Sequence, residues 1–307
     1  MVFMQSWTPK QKGYAMILTS AVCFGSYGVW SRLLGKEFGI FYQGWVRSAV
    51  ILAVLLPIAI LGKRLKPVQK GDRKWFSITM GFTLFTQVPL YFAFNHLPLG
   101  TANFLFYATF IITSYVTGWL FLSEKITRIK MLSLCLAFAG FLLTFQFSLA
   151  TFSILALLMA ALSGIASGGE VATSKKSTEK YSSLQLIIYS WILILATHLP
   201  ASLMMGEEQI APSFNGEWLA MLGYAASGLG GFWLVIEGFK YVDASIGSLI
   251  GLLEILFSVL FGVLLFGDHL TIDVLFGGLI IIFAALLPDV YALKHRKTKP
   301  IPPPPPL

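Results

Sequence analysis

An acid in the middle of an apolar helix needs a reason, and this chain places one at Glu254. Gly247, Gly251, Glu254, Ser258 and Gly262 follow at steps of 4, 3, 4 and 4, so they share one helical face. Most residues between them are Leu, Ile, Val and Phe. Glu254 lies about ten residues into this helix, roughly 15 Å deep at 1.5 Å per residue. A charge at that depth costs about 2.5–3.5 kcal/mol on insertion scales, so it marks a functional position. Glu254 is suited to bind an amine or to carry a proton; a buried structural pair is the alternative. Arg47 comes seven residues into another apolar segment, with Gln43 one turn before it. A guanidinium fits a carboxylate bidentately. Arg47 and Gln43 could therefore orient a substrate's anionic group, or Arg47 could pair with Glu254 and hold the helices together.

A third segment carries Thr83, Gln87, Tyr91 and Asn95 at i, i+4 spacing, a polar stripe suited to line a cavity or to bond neighbouring helices. His198, in an apolar run, is expected to bond a neighbour. Glu170 and Glu237 are expected near helix ends, solvated or paired with the nearby Lys175 and Lys240, and Arg32 near an outer end. Gly164 and Gly168 form a small-xxx-small pair that permits close helix packing. Cys23 and Cys135 read as small buried hydrophobes.

These residues require helices that cross a bilayer. The chain has 307 residues, 56% hydrophobic and 12% charged, against about 25% charged in soluble domains. Runs such as 275–287 are apolar on every face, which excludes the alternation of a membrane β-strand. Glycine, proline and charge divide the sequence into ten expected spans, near 13–34, 40–61, 74–96, 99–122, 128–148, 151–172, 184–205, 216–239, 244–266 and 271–293. With the N-terminus inside, nineteen Lys and Arg fall on the inner side and only Arg32 and Lys36 on the outer. That asymmetry matches the excess of basic residues in cytoplasmic loops. Both termini are therefore expected in the cytoplasm, in an inner or plasma membrane, with the first span kept as an anchor.

The spans repeat. Gly118-Trp-Leu-Phe-Leu-Ser-Glu124-Lys-Ile-Thr127 returns 144 residues later as Gly262-Val-Leu-Leu-Phe-Gly-Asp268-His-Leu-Thr271. Pro57 is echoed by Pro200, and Gly25-Ser-Tyr-Gly28 loosely by Ser167-Gly-Gly169. Five spans per half is odd, so the second half enters inverted. The expected fold class is all-α integral membrane, two inverted five-helix repeats over 1–148 and 149–293, followed by a basic, proline-rich disordered tail over 294–307. Inverted repeats place substrate near the midplane at their interface. Subtracting the offset maps the Glu254 stripe onto Asn103, Tyr107, Phe110, Ser114 and Gly118. Asn103, Tyr107 and Gln87 would add neutral hydrogen bonds.

The ten spans in two halves, the acid-x-Ile/Leu-Thr endings, the Gly-Ser-Tyr-Gly turn and the arginine early in helix 2 resemble the EamA family of the drug/metabolite transporter superfamily, over nearly the whole chain. The resemblance implies a secondary transporter, similar to exporters of amino acids, other small metabolites or drugs. One departure is visible: the family often has Leu-Glu-Pro in helix 9, where this chain reads Leu253-Glu254-Ile255. The missing proline puts in doubt any gating that depends on a kink there.

No phosphate-cradling Gly-x-x-x-x-Gly-Lys-Ser/Thr loop, metal-ligand cluster or nucleophile elbow occurs. Cofactors, metals and nucleic acid are therefore not expected. The expected partners are a small-molecule substrate and the lipid bilayer, with a homodimer left open. Alternatives to an exporter are an ion-independent exchanger of metabolites such as nucleotide or sugar derivatives and, in another class, a lipid-modifying membrane enzyme or a scaffold.

Overall fold

A computed structural model describes residues 7–34, 38–97, 99–145, 153–267 and 271–294. Asp268 and most of the expected tail fall outside these residues. Thirteen helices are described: α1 (Pro9–Gly25), α2 (Tyr27–Leu34), α3 (Ile40–Leu61), α4 (Arg73–Thr83), α5 (Val88–His96), α6 (Leu99–Leu122), α7 (Arg128–Phe145), α8 (Ile154–Thr178), α9 (Ser183–Met204), α10 (Gly216–Phe239), α11 (Ala244–Gly251), α12 (Leu253–Phe266) and α13 (Ile272–Lys294). Among the described residues, seven helices are long and apolar enough to cross a membrane, α11 and α12 together counting as one.

Local sequence sets the boundaries. Thr8 and Gln11 form a capping box at the start of α1, with Pro9 in the first turn. Ser182 and Asn215 cap α9 and α10 through the backbone N–H groups of Gln185 and Trp218. Among the described residues, four have positive φ: Lys63 (50°), Ser123 (56°), Gly206 (68°) and Gly267 (69°). Lys63 and Gly206 follow α3 and α9; Ser123 and Gly267 follow α6 and α12. Each pair is 143 or 144 residues apart. The small residue before each acid in the repeated motif is therefore the left-handed one that stops the helix.

Three expected spans are not continuous. The segment near 74–96 is broken at 84–87, between α4 and α5. Pro89, in the first turn of α5, has no N–H for the carbonyl four residues earlier and clashes with it. The Thr83–Asn95 stripe is thus split between two helices. The first span pauses at Ser26, inside the Gly-Ser-Tyr-Gly turn, and the ninth at Leu252, directly after Gly251. A break therefore exists beside Glu254 without a proline.

The helices pack in pairs: α6 on α8, α7 on α13, α3 on α9, α1 on α10 and on α12, α2 on α10, and α4 and α5 on α8. Gly164 and Gly168 allow the α6–α8 approach, since an added Cβ would fall against the carbonyls of Phe106 and Phe110. The largest core lies between α3, α9, α10 and α11 and includes Ile51, Leu55, Ile187, Trp191 and Phe239. A second joins α6, α7 and α13 through Ile111, Phe141 and Ile281. Large apolar side chains such as Leu132, Leu158, Leu219, Leu264 and Phe276 are exposed on the outer faces, an arrangement that lipid solvates and water does not.

Candidate functional site

Arg47 is the largest fully buried side chain among the described residues, 1% exposed, in the first half of α3. Its Nη2 donates to Gln87 Oε1 at 2.9 Å and to the Tyr91 hydroxyl at 2.7 Å. The break at 84–87 and the restart of α5 bring these two acceptors to it. The guanidinium carbon lies 4.3 Å from the centre of the Tyr224 ring and 5.6 Å from those of Tyr27 and Trp191, within cation–π range. Gly228 supplies the space, since a Cβ there would lie 2.9 Å from the Tyr27 hydroxyl. Buried Nε and Nη1 have no hydrogen-bond partner, and neither does Trp191 Nε1 nearby. A buried cation with unused donors, caged by aromatic rings, can attract an anion. A bidentate grip on a carboxylate would pair Nε or Nη1 with Nη2 and so displace Gln87 or Tyr91 from Nη2.

Glu254 begins α12, two residues beyond the break, and is half-buried. Its carboxyl accepts a hydrogen bond from the Tyr107 hydroxyl of α6. Tyr107 is itself fixed, stacked on Phe141 with ring centres 5.8 Å apart. The backbone at Glu254 crosses α1 at Gly25, where a Cβ would lie 2.7 Å from the Glu254 carbonyl. This contact gives the Gly-Ser-Tyr-Gly turn a packing role. Arg47 and Glu254 share no ion pair among the described contacts.

The structure thus joins Arg47 to Gln87, and Tyr107 to Glu254. Gln43 does not reach Arg47, because its amide donates to the Phe38 carbonyl at 2.8 Å. Asn103 is half-buried on α6, one turn before Tyr107. Ser258 is exposed and faces Gly28. Thr83 turns away from the Arg47 group toward Glu170. The side chain of Asn95 lies outside the described residues.

Two expectations need correction. Glu170 is neither solvated nor paired with Lys175. It is buried against Thr83 and Ser190, while Lys175 Nζ lies 3.4 Å from Glu124 Oε1. Glu237 does pair with Lys240, at 2.9 Å. Cys135 is exposed rather than buried. His198 bonds the Ile194 carbonyl through Nδ1 at 3.0 Å, and its buried Nε2 has no partner. Tyr27, Trp191 and Tyr224 were not singled out by sequence, because an aromatic residue in an apolar helix looks the same whether it fills a core or cages a cation. A cavity of about 350 Å³ lies elsewhere, on the α3 surface between Trp45, Trp218 and Gln209.

Comparison with known proteins places the chain in a family. The EamA-like transporter family matches residues 11–146 and again residues 154–287. The chain is 26% identical to an uncharacterized transporter of Archaeoglobus fulgidus, over 90% of this chain and 95% of the relative. It is 25% identical to an S-adenosylmethionine uptake transporter of Rickettsia bellii, over 94% and 97% of the two chains. A solved crystal structure superimposes with a TM-score of 0.78 at 13% identity, covering 94% of this chain and 99% of the other, which shows a shared fold.

Proposed function

The chain belongs to the EamA-like transporter family, and on that premise we propose that it carries small, carboxylate-bearing metabolites such as amino acids across a bilayer by alternating access. Membership makes it a membrane transporter and not an enzyme. The observation that carries the substrate class is Arg47, a buried guanidinium with Nε and Nη1 unpaired inside the Tyr27–Trp191–Tyr224 cage. A substrate carboxylate would take one of those donors together with Nη2, releasing Gln87 or Tyr91. Glu254, held by Tyr107, would receive an amine or a proton.

Several observations support two inverted five-helix halves, ten crossings in all. The family matches twice, once per half. The left-handed residues pair at offsets of 143 and 144. The packing pairs also map onto themselves when the halves are exchanged: α3–α9 and α7–α13 are self-paired, α1–α10 answers α4 and α5 on α8, and α1–α12 answers α6–α8. The residues starting α3 meet those after α9, through Tyr42 and Ile210, and those starting α9 meet those after α3, through Gln185 and Lys66. The corresponding helices α3 and α9 therefore run antiparallel, as inverted halves require. The basic segments 62–73, 123–130, 175–182 and 240–243 are linked at one end through Asp72–Lys180, Glu124–Lys175 and Lys130–Asp243, with Trp75 packing on Phe121 beside them. This grouping supports a cytoplasmic placement for that end and an inner or plasma membrane. Residues 244–250 of α11 are all buried toward it, whereas α12 leaves Ser258 exposed and Glu254 half-exposed. That contrast suits a state closed to the cytoplasm and open outside.

Export is the expected direction. The relative named for S-adenosylmethionine uptake favours import as a second reading, since the gradient sets direction in alternating access. The test is uptake of radiolabelled amino acids and of S-adenosylmethionine into proteoliposomes, with and without a pH gradient. Saturable uptake abolished by Arg47→Met is expected. Uptake equal in wild type and Arg47→Met would overturn the substrate assignment, and indifference to the gradient would remove the proton role of Glu254.

A further inference from the structure

Glu170 lies on α8 eight residues before Thr178, about 12 Å from that end at 1.5 Å per residue, and is 6% exposed. Thr83, the last residue of α4, lies 2.5 Å from its Oε1, and Ser190 of α9 lies 3.3 Å from the same oxygen. The two hydroxyl oxygens are 3.4 Å apart. Thr83 Oγ1 also sits 3.2 Å from the Thr79 carbonyl, and Thr79 bonds Thr173 at 3.1 Å. Hydroxyls from three helices thus converge on one carboxyl beside the α4–α5 break.

The charged and titratable groups of the packed helices are engaged elsewhere or lie at the far ends of their helices. Arg73 and Lys74 begin α4, Lys175 on α8 reaches Glu124, and Lys176 lies 3.3 Å from Glu179. On α10, Glu217 is at the opposite end and Glu237 pairs with Lys240. Tyr91 and Tyr224 belong to the Arg47 cage, Tyr107 to Glu254, and Tyr115 to the Lys130 carbonyl. His96 and His198 bond backbone carbonyls within their own helices, and Tyr189 packs edge-on against Phe76. The α11 sequence has no ionisable side chain.

Proton counting decides what this carboxyl can bind. Thr83 owns one hydroxyl proton and faces two acceptors, the Thr79 carbonyl and Glu170 Oε1. With the proton pointing at Glu170, Thr83 and Ser190 can stabilise a charged carboxylate through Oε1. If it points at Thr79, the short contact to Glu170 is completed by a proton on the carboxyl itself, donated to Thr83 Oγ1. Both states use the same heavy-atom positions and differ by one hydroxyl rotation and one proton. A separation of 2.5 Å is a hydrogen-bond distance; no metal ion fits between those oxygens.

We propose that Glu170, with Thr83 and Ser190, is a reversible proton-binding site at the α4–α5 break, separate from Glu254. The site adjoins the Arg47 group on two sides. Gln87, across the break from Thr83, accepts from Arg47, and Trp191, next to Ser190, covers its guanidinium. Occupancy of Glu170 would therefore bias the break that presents Gln87 and Tyr91. This inference goes beyond the carboxylate assignment, and its test uses no substrate.

The full-length protein in liposomes is stepped between acid and alkaline buffer, and the carboxylic-acid carbonyl band is read by infrared difference spectroscopy. Wild type is expected to lose and regain a component that Glu170→Gln removes and Glu254→Gln leaves in place. Thr83→Val, which keeps the shape and removes the hydroxyl, should shift that component in frequency and in pH midpoint. If Glu170→Gln does not fold, Thr83→Val and Ser190→Ala decide alone. Variant spectra that superimpose on wild type would overturn the proposal, as would a component that responds to added sodium at fixed pH and not to the pH step.

Discussion

Glu254 accepts a hydrogen bond from Tyr107, 147 residues away, and makes no ion pair with Arg47 among the described contacts. The acid and its phenol come from α12 and α6, so this bond crosses between the two halves of the chain. Tyr107→Phe should destabilise the protein by about 1–3 kcal/mol, the range for losing one buried bond to an ionisable partner. The pair should also be non-additive with Glu254→Gln, by roughly 0.5–3 kcal/mol in a double-mutant cycle. Thermal unfolding in detergent reads both quantities, and additive effects would show that the contact contributes nothing.

Arg47→Met should fold as well as wild type or better. The guanidinium has no carboxylate partner, so the variant relieves its desolvation cost. This offsets the roughly 1–3 kcal/mol of a stranded acceptor, and Tyr91 can still donate to Gln87. The same variant should lose stabilisation by carboxylate ligands, which binding to the folded state otherwise confers. Arg47→Lys keeps the charge but not the planar fork, so it should recover only part of the response. A full ligand-induced shift in Arg47→Met would place the anion elsewhere.

Much of this arrangement was legible in the sequence, for physical reasons. Periodicity put Glu254 on one helical face and the repeat offset mapped that face onto one carrying Tyr107 within a turn of the equivalent position, but the partner expected for the acid was Arg47. Pro89 carried the break at 84–87 in plain view, but the i, i+4 spacing of Thr83, Gln87 and Tyr91 masked it. Glu170 was misread because nearness to Lys175 in sequence was taken for nearness in space. Lys175 follows Glu170 by five residues, and its ammonium goes to Glu124. The cage around Arg47 depends on three helices meeting, which no local pattern records.

Ser123 and Gly267 hold equivalent left-handed positions at φ 56° and 69°. A side chain in that conformation costs about 1–2 kcal/mol. Ser123→Gly should therefore stabilise the protein, by about 1 kcal/mol or somewhat less once the added freedom of the unfolded chain is counted. Gly267→Ala should destabilise it by a similar amount. Matched thermal melts check both, and a stabilising Gly267→Ala would contradict the assigned helix ending.

Asp72 and Lys180 tie the segment before α4 to the one before α9 at 2.5 Å. The hydrogen bond from Lys180 holds the Asp72 carboxyl below the usual aspartate range, with Tyr181 adding to it. Asp72 in turn holds the Lys180 ammonium above the usual lysine range. For a lowered acid, the stabilisation is present above the ordinary aspartate value of about 3.9 and is lost as pH falls through the lower folded value. For a raised base, it is present below about 10.4 and is lost as pH rises through the higher folded value. Lys180 is exposed and Asp72 partly buried, so the effect should be small and weaker at high salt. Asp72→Asn should flatten the acid limb of the melting temperature against pH; an unchanged limb would remove the pair from the balance.

Glu124 closes the basic end. Its Oε1 accepts from the Ala244 N–H at 2.7 Å and lies 3.4 Å from Lys175 Nζ, while Oε2 takes the Ser245 N–H and hydroxyl at 3.4 and 3.2 Å. One carboxylate thus caps the start of α11 from the end of α6 and draws in α8. The orphan N–H groups and positive dipole of a helix N-terminus favour an anion there. Glu124→Gln retains an acceptor but no charge and should cost about 1 kcal/mol. Glu124→Ala strands the N–H groups as well, so its cost should reach or exceed the roughly 2 kcal/mol at the upper end of cap losses. If opening toward the cytoplasm requires α6, α8 and α11 to part, loosening this clasp should favour that state. A cysteine introduced at buried Ser248 should then be labelled faster from the basic side in Glu124→Gln than in its Glu124 parent. Equal labelling, alongside the expected loss of stability, would leave Glu124 a helix cap with no part in opening.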